Sequence, residues 1–474
     1  MRVDCSWHRS TAGACNTGRV SCSGLITSRE RRLLAIVVAC YLALASGYAI
    51  VVPPFEAPDE PAHLLYTNFV AQHAQLPNQD APARRVAGEG HQFPLYYIGA
   101  ALLVRLTQPD NAISFSPQVN RSAEQPAMPS PRPKFLHTGE EIFTTRRDAI
   151  GFYLLRILSI AFGAATVITG WLIARMLVSR AIDRLTATAL IATLPQFAFI
   201  SATINNDNLA NLLIALAIYA LLRVLSTPEP GNFLLLGLTL GPALATKKTA
   251  LFVVPVVIGG VAWLWWQRRQ VRRNLLKSFA VTTALVALSA GWVFARNALV
   301  YRDPLGNAME RRTLPELLDH KSIVDPYWFN LFLPRMAESF VATFGWMDVR
   351  LPGPLFAGYM LVAVLSVAGF GVAAVRIRWD AGQVAALALV ASCFAGVVIY
   401  NLTYTQFQGR FLFPVLPLIA IGCVAGLRQS CRLLGRERHV GWVALACVGQ
   451  ALVVNAIALL SLHRFYNDLN NYIR

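Results

Sequence analysis

Pro53-Pro54-Phe55-Glu56-Ala57-Pro58-Asp59-Glu60-Pro61-Ala62-His63 follows without a break on the first long apolar run of the chain, residues 33–52. Three carboxylates and an imidazole therefore sit where the chain leaves a membrane. Four prolines in eleven residues bar a regular helix, because each removes an amide donor and fixes its own φ, and the backbone must be a bent, semi-rigid loop. Glu56, Asp59, Glu60 and His63 succeed one another at spacings of three, one and three. Acids packed this closely suit a general base or a divalent-cation site. A polar, proline-rich loop is also what many chains use on leaving a bilayer, so spacing alone leaves both readings open.

The rest of the composition agrees with a membrane setting. Of 474 residues 55% are hydrophobic and only 14% charged, against about 25% charged in soluble domains, and the mean hydropathy is +0.48. The net charge of +17 does not point to nucleic acid, since the basic residues lie in short clusters between apolar runs, where orientation in the bilayer accounts for them. Eight cysteines show no C-x-x-C spacing and imply neither a disulfide framework nor a zinc site.

Runs of about 17–25 apolar residues span a bilayer, and the sequence predicts about eleven in an all-α polytopic fold: 33–52, 152–175, 185–203, 207–223, 232–246, 249–266, 278–296, 354–375, 382–400, 411–427 and 440–462. The fifth is the shortest. Residues 1–32 read as a cytoplasmic tail leading into an uncleaved first helix, 33–462 as the transmembrane domain and 463–474 as an outer tail. Arginine clusters at 29–32, 175–184, 268–277, 376–378 and 428–438 all fall on one face if the count is right. That face is expected to be cytoplasmic, which puts the acidic loop outside.

Two outer segments are long, 53–151 and 297–353, and loops of more than about 15 residues usually carry function or are disordered. Within the first, Phe93–Val104 is apolar and tyrosine-rich but too short to span, so a helix lying in the interface or re-entering is expected, with Tyr96 on it. Residues 107–140, with six prolines, read as a mobile segment able to order on substrate. At the other outer turns stand Asn206 and Asp207, the latter a ligand or a helix N-cap; Lys247 and Lys248, suited to a lipid phosphate or to snorkelling toward headgroups; and Arg296 and Arg410, whose guanidinium groups suit phosphate oxygens. Gly409 lets the backbone beside Arg410 approach a ligand closely. Trp346 and Asp348 offer an aromatic and an acid for a saccharide, although tryptophan is expected at an interface in any case.

Three stretches in order, Pro53–His63, Phe344-Gly345-Trp346-Met347-Asp348 and Gln408–Pro417, resemble a bacterial family of multi-pass membrane proteins of unknown function. More widely, the acidic first loop, Pro94-Leu95-Tyr96-Tyr97, Asn205-Asn206-Asp207 and Thr246-Lys247 are similar to the GT-C class of membrane glycosyltransferases. That resemblance implies a polyprenyl-phosphate sugar donor, an envelope glycan, lipid or protein acceptor, and a first-loop carboxylate as base. Asp59 is then the base, with Glu60 or Glu56 as helper; His63, Tyr96, Asn206, Asp207, Lys247, Lys248, Arg296, Trp346, Asp348 and Arg410 are expected to contact substrate. A divalent cation (Mg or Mn) on Asp59, Glu60 or His63 is left open. The expected location is a bacterial inner membrane, with the site on the periplasmic side. A lipid or saccharide flippase is the rival reading; the absence of acids or histidines deep in the predicted spans argues against it. A non-catalytic subunit of polysaccharide assembly is a third.

Overall fold

The computed structural model describes residues 27–114, 118–123, 132–137, 141 and 147–468. The proline-rich stretch expected to be mobile lies partly outside them, as do most of the N-terminal tail and the last six residues. Helix α1 (Ser28–Val51) leads through the acidic loop into α2 (Glu60–His73) and α3 (Leu95–Thr107). There follow α4 (Arg147–Leu177), α5 (Ala181–Thr193), α6 (Pro195–Ser201), α7 (Asn206–Ser226), α8 (Pro230–Thr246), α9 (Val253–Gln267), α10 (Arg272–Val286) and α11 (Trp292–Tyr301). The second long segment carries α12 (Asn307–Thr313) and α13 (Leu333–Val341), and the chain ends in α14 (Gly353–Arg376), α15 (Ala381–Asn401), α16 (Leu416–Leu433) and α17 (Val440–Asn467). Two short antiparallel hairpins, β1 (Gln118–Val119) with β2 (Phe135–Leu136) and β3 (Thr343–Phe344) with β4 (Val349–Arg350), are the sheets among the described residues.

Among the described residues nine helices are long and apolar enough to cross a bilayer. The two other predicted spans are helical in different ways. Segment 185–203 is interrupted at Leu194, which is extended (φ −65°, ψ 116°) because the Pro195 ring excludes the helical region for the residue before it. Segment 232–246 falls in α8, a 17-residue helix. More than half of the apolar stretch of α4, α7 and α16 is buried inside the bundle, whereas α14 buries 11% of its own and presents Leu361, Val364 and Val367 outward. An all-round apolar helix on the rim of a bundle is what lipid contact requires.

Helices α2 and α3 pack together across the end of this bundle, with Phe55, Tyr66, Tyr96, Tyr97, Phe152 and Ile204 in one apolar cluster. Helix α3 is the 13-residue tyrosine-rich helix expected from 93–104, too short to span.

One buried ion pair ties this cap to the spans. Arg156 on α4 and Glu60 at the start of α2 are both fully buried. Arg156 Nε lies 2.9 Å from Glu60 Oε1 and its Nη2 2.7 Å from Oε2. The remaining guanidinium hydrogens go to the carbonyls of Ala49 (2.8 Å), Val52 (2.7 Å) and Pro53 (3.1 Å). Glu60 also accepts from the backbone amides of Phe55 (3.0 Å) and Ile204 (2.9 Å). Every polar hydrogen of the guanidinium is thus met, and the pair joins the end of α1, the acidic loop, α2, α4 and the turn before α7.

Removing one partner leaves a buried charge unanswered. Arg156→Met is expected to destabilise the protein by about 3–5 kcal/mol, and the double change Arg156→Met/Glu60→Leu by clearly less. Unfolding of the purified variants in mixed detergent micelles checks both.

Candidate active site

Glu60 is the first residue of α2, and Asp59 occupies the N-cap position with a left-handed backbone (φ 66°). Such a conformation costs a non-glycine residue about 1–3 kcal/mol. Its consequence is directional: the Asp59 carboxylate makes no cap bond to its own helix and is paired with Arg410 Nη2 instead. About a third of the Asp59 side chain remains exposed, while that of Arg410 is buried.

Arg410 projects from the tight helical turn Gly409–Val415. A Cβ at Gly409 would lie 2.3 Å from the amide nitrogen of Phe340, so the glycine lets this turn seat on α13; the close approach expected there is to protein backbone. Arg410 Nη1 is 3.8 Å from Asp207 Oδ2, and Asp207 is paired with Lys247. Arg410 Nε and Nη1 are buried without a hydrogen-bond partner. Asn205 caps α7, its Oδ1 accepting from the Asp207 amide at 2.8 Å, which leaves the Asp207 carboxylate free for the cations.

Two further groups complete the cluster. His63, one turn into α2, has Nδ1 2.8 Å from the hydroxyl of Tyr97 and stacks on that ring. Glu89, which the sequence reading missed, brings a carboxylate oxygen to within 4.8 Å of ligand atoms of both Asp59 and His63. A tight turn presents it. Gly88 has φ +68°, a Cβ there would lie 2.6 Å from Cβ of Ala62, and a Cβ on Gly90 would lie 2.4 Å from the Val86 carbonyl. Gln79 pins the same turn from outside, through Val86 O (2.7 Å) and Val86 N (2.9 Å). Gly-Glu-Gly before an apolar helix was the available signal.

These neighbours set the charges. Burial by itself would raise the Asp59 carboxyl, but Arg410, then His63 and Lys247, outweigh it and hold the group below its ordinary range. Burial raises Glu89, with His63 only partly opposing, and burial lowers His63. Asp59 is therefore the ionised acid and Glu89 the one that keeps its proton longest. Such a split between adjacent carboxyls is the pattern of groups with different roles.

The other predicted residues lie in distinct surroundings. Glu60 is committed to Arg156, with Tyr96 buried beside it. Glu56 faces away from Asp59 and accepts from the amides of Lys134 (3.1 Å) and Phe135 (3.0 Å) and from His137 Nε2 (3.0 Å). Trp346 donates to the Phe55 carbonyl (3.0 Å) and carries Lys134 over its ring, and Asp348, its carboxyl raised by burial, lies near Lys134 and Glu56. Arg296 bonds the Pro77 carbonyl. Lys248 pairs with Glu310 of α12 and lies 3.1 Å from Asn307 Oδ1. Asn206 is buried, its Nδ2 3.4 Å from Gln92 Oε1 and its Oδ1 unpartnered. Asp59, His63, Asn206, Asp207, Lys247 and Arg410 thus share one site; Glu56, Trp346 and Asp348 form a second cluster behind it.

For a cation, Glu60 is replaced by Glu89. One imidazole with two carboxylates suits manganese or zinc better than the all-oxygen shell of magnesium.

His137 stands between two acids, with Nδ1 2.8 Å from Glu141 and Nε2 3.0 Å from Glu56. Burial opposes its charge, but Glu141 and Glu56 overcome that and push it up to about 9. Because the folded value is raised, the stabilisation is complete below the unfolded value of about 6.5 and is lost as pH rises through about 9. Amide hydrogen exchange of Lys134 and Phe135, referred to intrinsic rates, is expected to lose protection between those values, and His137→Ala to lack it throughout.

Residues 142–294 match the family model described as dolichyl-phosphate-mannose-protein mannosyltransferase. No curated protein matches the chain. Among solved structures, the Archaeoglobus fulgidus oligosaccharyltransferase, tethered to an acceptor peptide, aligns over 92% of this chain and 55% of its own at 11% identity and a TM-score of 0.53. ArnT from Cupriavidus metallidurans bound to undecaprenyl phosphate aligns over 93% of this chain and 75% of its own, at 11% identity and a TM-score of 0.50. The S. cerevisiae Pmt1–Pmt2 complex aligns over 62% of this chain and 36% of that one, at 16% identity and a TM-score of 0.40. The chain thus spans about a third and about half of the Pmt and oligosaccharyltransferase chains.

Proposed function

We propose that this chain, whose fold is that of the GT-C membrane glycosyltransferases, moves a sugar from a polyprenyl-phosphate carrier to an acceptor of the bacterial cell envelope. The observation that carries the reading is Arg410: a buried guanidinium with two nitrogens unpartnered, held against an ionised, partly exposed carboxylate at one end of a membrane bundle. Buried donors without acceptors call for an anion, and Nε and Nη1, which lie on different edges of the guanidinium, can each donate to a separate oxygen. That ArnT is solved with undecaprenyl phosphate and that part of the chain matches a model named for a dolichyl-phosphate-mannose enzyme support a lipid-phosphate donor.

In this mechanism the acceptor hydroxyl binds at the exposed edge of Asp59. Its oxygen forms a bond to the anomeric carbon as the bond from that carbon to the phosphate oxygen breaks. The hydroxyl proton passes to the Asp59 carboxylate, and the electron pair leaves on the lipid phosphate. Arg410, with Lys247 behind Asp207, stabilises the charge on the departing phosphate. Asp59 is suited to the base role because its neighbours keep it ionised; Glu60 positions it by fixing the start of α2. A divalent cation on Asp59, His63 and Glu89 would supply further stabilisation of phosphate charge. The site faces the periplasm in this reading, because the arginine-rich turns, with the pairs Arg184–Glu30 and Arg428–Asp183, lie at the other end.

The test is transfer in proteoliposomes from a panel of sugar-loaded undecaprenyl phosphates to envelope-lipid and peptide acceptors, followed by mass spectrometry. The wild type is expected to consume a donor. Asp59→Asn is expected to bind that donor yet transfer about 10²–10⁴-fold more slowly, and Arg410→Lys to weaken donor binding. Protein-dependent passage of labelled carrier across the bilayer with no donor consumed would replace this reading with a flippase.

A further inference from the structure

The polar groups around Asp59 close into a ring. Asp59 pairs with Arg410, Arg410 Nη1 lies 3.8 Å from Asp207, and Asp207 adjoins Asn206 in the chain. Asn206 Nδ2 is 3.4 Å from Gln92 Oε1, Gln92 lies against Glu89, and Glu89 returns to within 4.8 Å of Asp59 and His63.

The two halves of the ring differ in chemistry. The Arg410 half is cationic and offers unpartnered donors. The opposite half is uncharged apart from Glu89, and its unpartnered atoms are Asn206 Oδ1 and Glu89 Oε2, with Asn206 fully buried. A buried amide oxygen left open cannot be answered by a phosphate, which only accepts, or by a lipid chain, which neither donates nor accepts. A group that donates as well as accepts answers it, and a run of hydroxyls on a ring is such a group.

We propose that Glu89, Gln92 and Asn206 form the hydroxyl-binding rim of the donor sugar's subsite, across the site from the phosphate-binding nitrogens of Arg410. This rests on the glycosyltransferase reading and extends it to residues outside the acidic loop. The donor sugar, not the acceptor, is assigned here because its anomeric oxygen is bonded to the phosphate that Arg410 holds, and the rim lies on the other side of Asp59. Tight presentation of Glu89 between Gly88 and Gly90, with Gln79 bracing the turn, gives the rim the rigidity that discrimination between sugar epimers needs.

The experiment measures binding, without turnover, of bare undecaprenyl phosphate and of the same carrier loaded with mannose, glucose, galactose or arabinose, to protein in nanodiscs. The wild type is expected to bind at least one loaded carrier about tenfold more tightly than the bare one, the worth of one or two hydrogen bonds. Gln92→Ala and Asn206→Ala are expected to lose most of that preference while binding bare carrier as before. Gln92→Ala guards against the chance that a change at the first turn of α7 unfolds the helix. Variants that keep the preference, or that lose bare carrier equally, overturn the rim, as does a wild type that binds loaded and bare carriers alike. A wild type that binds no carrier at all overturns the glycosyltransferase reading beneath it.

Discussion

Arg156 carries a full charge in the body of a membrane bundle, and all five of its donor hydrogens are taken up by Glu60 and the three carbonyls where α1 ends. A helix that ends at Val51 leaves its last carbonyls without amide partners, and in apolar surroundings these would be costly. The guanidinium answers them and at the same time fixes Glu60, whose second role is to receive the amide before α7. Asp59 is the neighbour of a residue that cannot move. Its left-handed backbone lies between the fixed Glu60 and Phe55, itself left-handed and packed against Phe152.

Within the site the charges are interleaved. Lys247, Asp207, Arg410 and Asp59 alternate in sign along a chain of ion pairs. In the proposed transfer an anion at Arg410 Nε or Nη1 need not displace Asp59 from Nη2, because those two nitrogens are without hydrogen-bond acceptors. In that proposed transfer the guanidinium would connect the leaving group to the base. It also makes Asp59 a weaker base than a carboxylate in water while keeping it ionised, which accords with the proposed transfer, whose leaving group would be a phosphate.

Hydropathy located the spans well because apolar length is a property of a local window, and the break at Pro195 is likewise local chemistry. What spacing could not supply was the sorting of Glu56, Asp59 and Glu60. Their side chains diverge because Phe55 and Asp59 both have positive φ, and backbone reversals at non-glycine residues leave no mark in the residue pattern. Arg156 was passed over inside a predicted span, although an ionisable residue at that depth is itself a signal of a partner. Glu89 and Gln92 stand some thirty residues from the acidic loop and reach the site only through the packing of α3 on α2, which no periodicity of either segment discloses.

Lys247 and Lys248 show how much follows from one turn of backbone. Lys247 is extended (φ −154°) and ends α8, so its amine reaches Asp207; Lys248 begins a tight helical turn and its amine reaches Glu310. Glu310 in turn accepts from the Tyr400 hydroxyl at 3.2 Å and lies 3.7 Å from Nε2 of His91, two residues from Glu89. The second long segment is therefore joined, through one buried carboxylate, to the turn that presents Glu89 and to the lysine beside the one that balances Asp207.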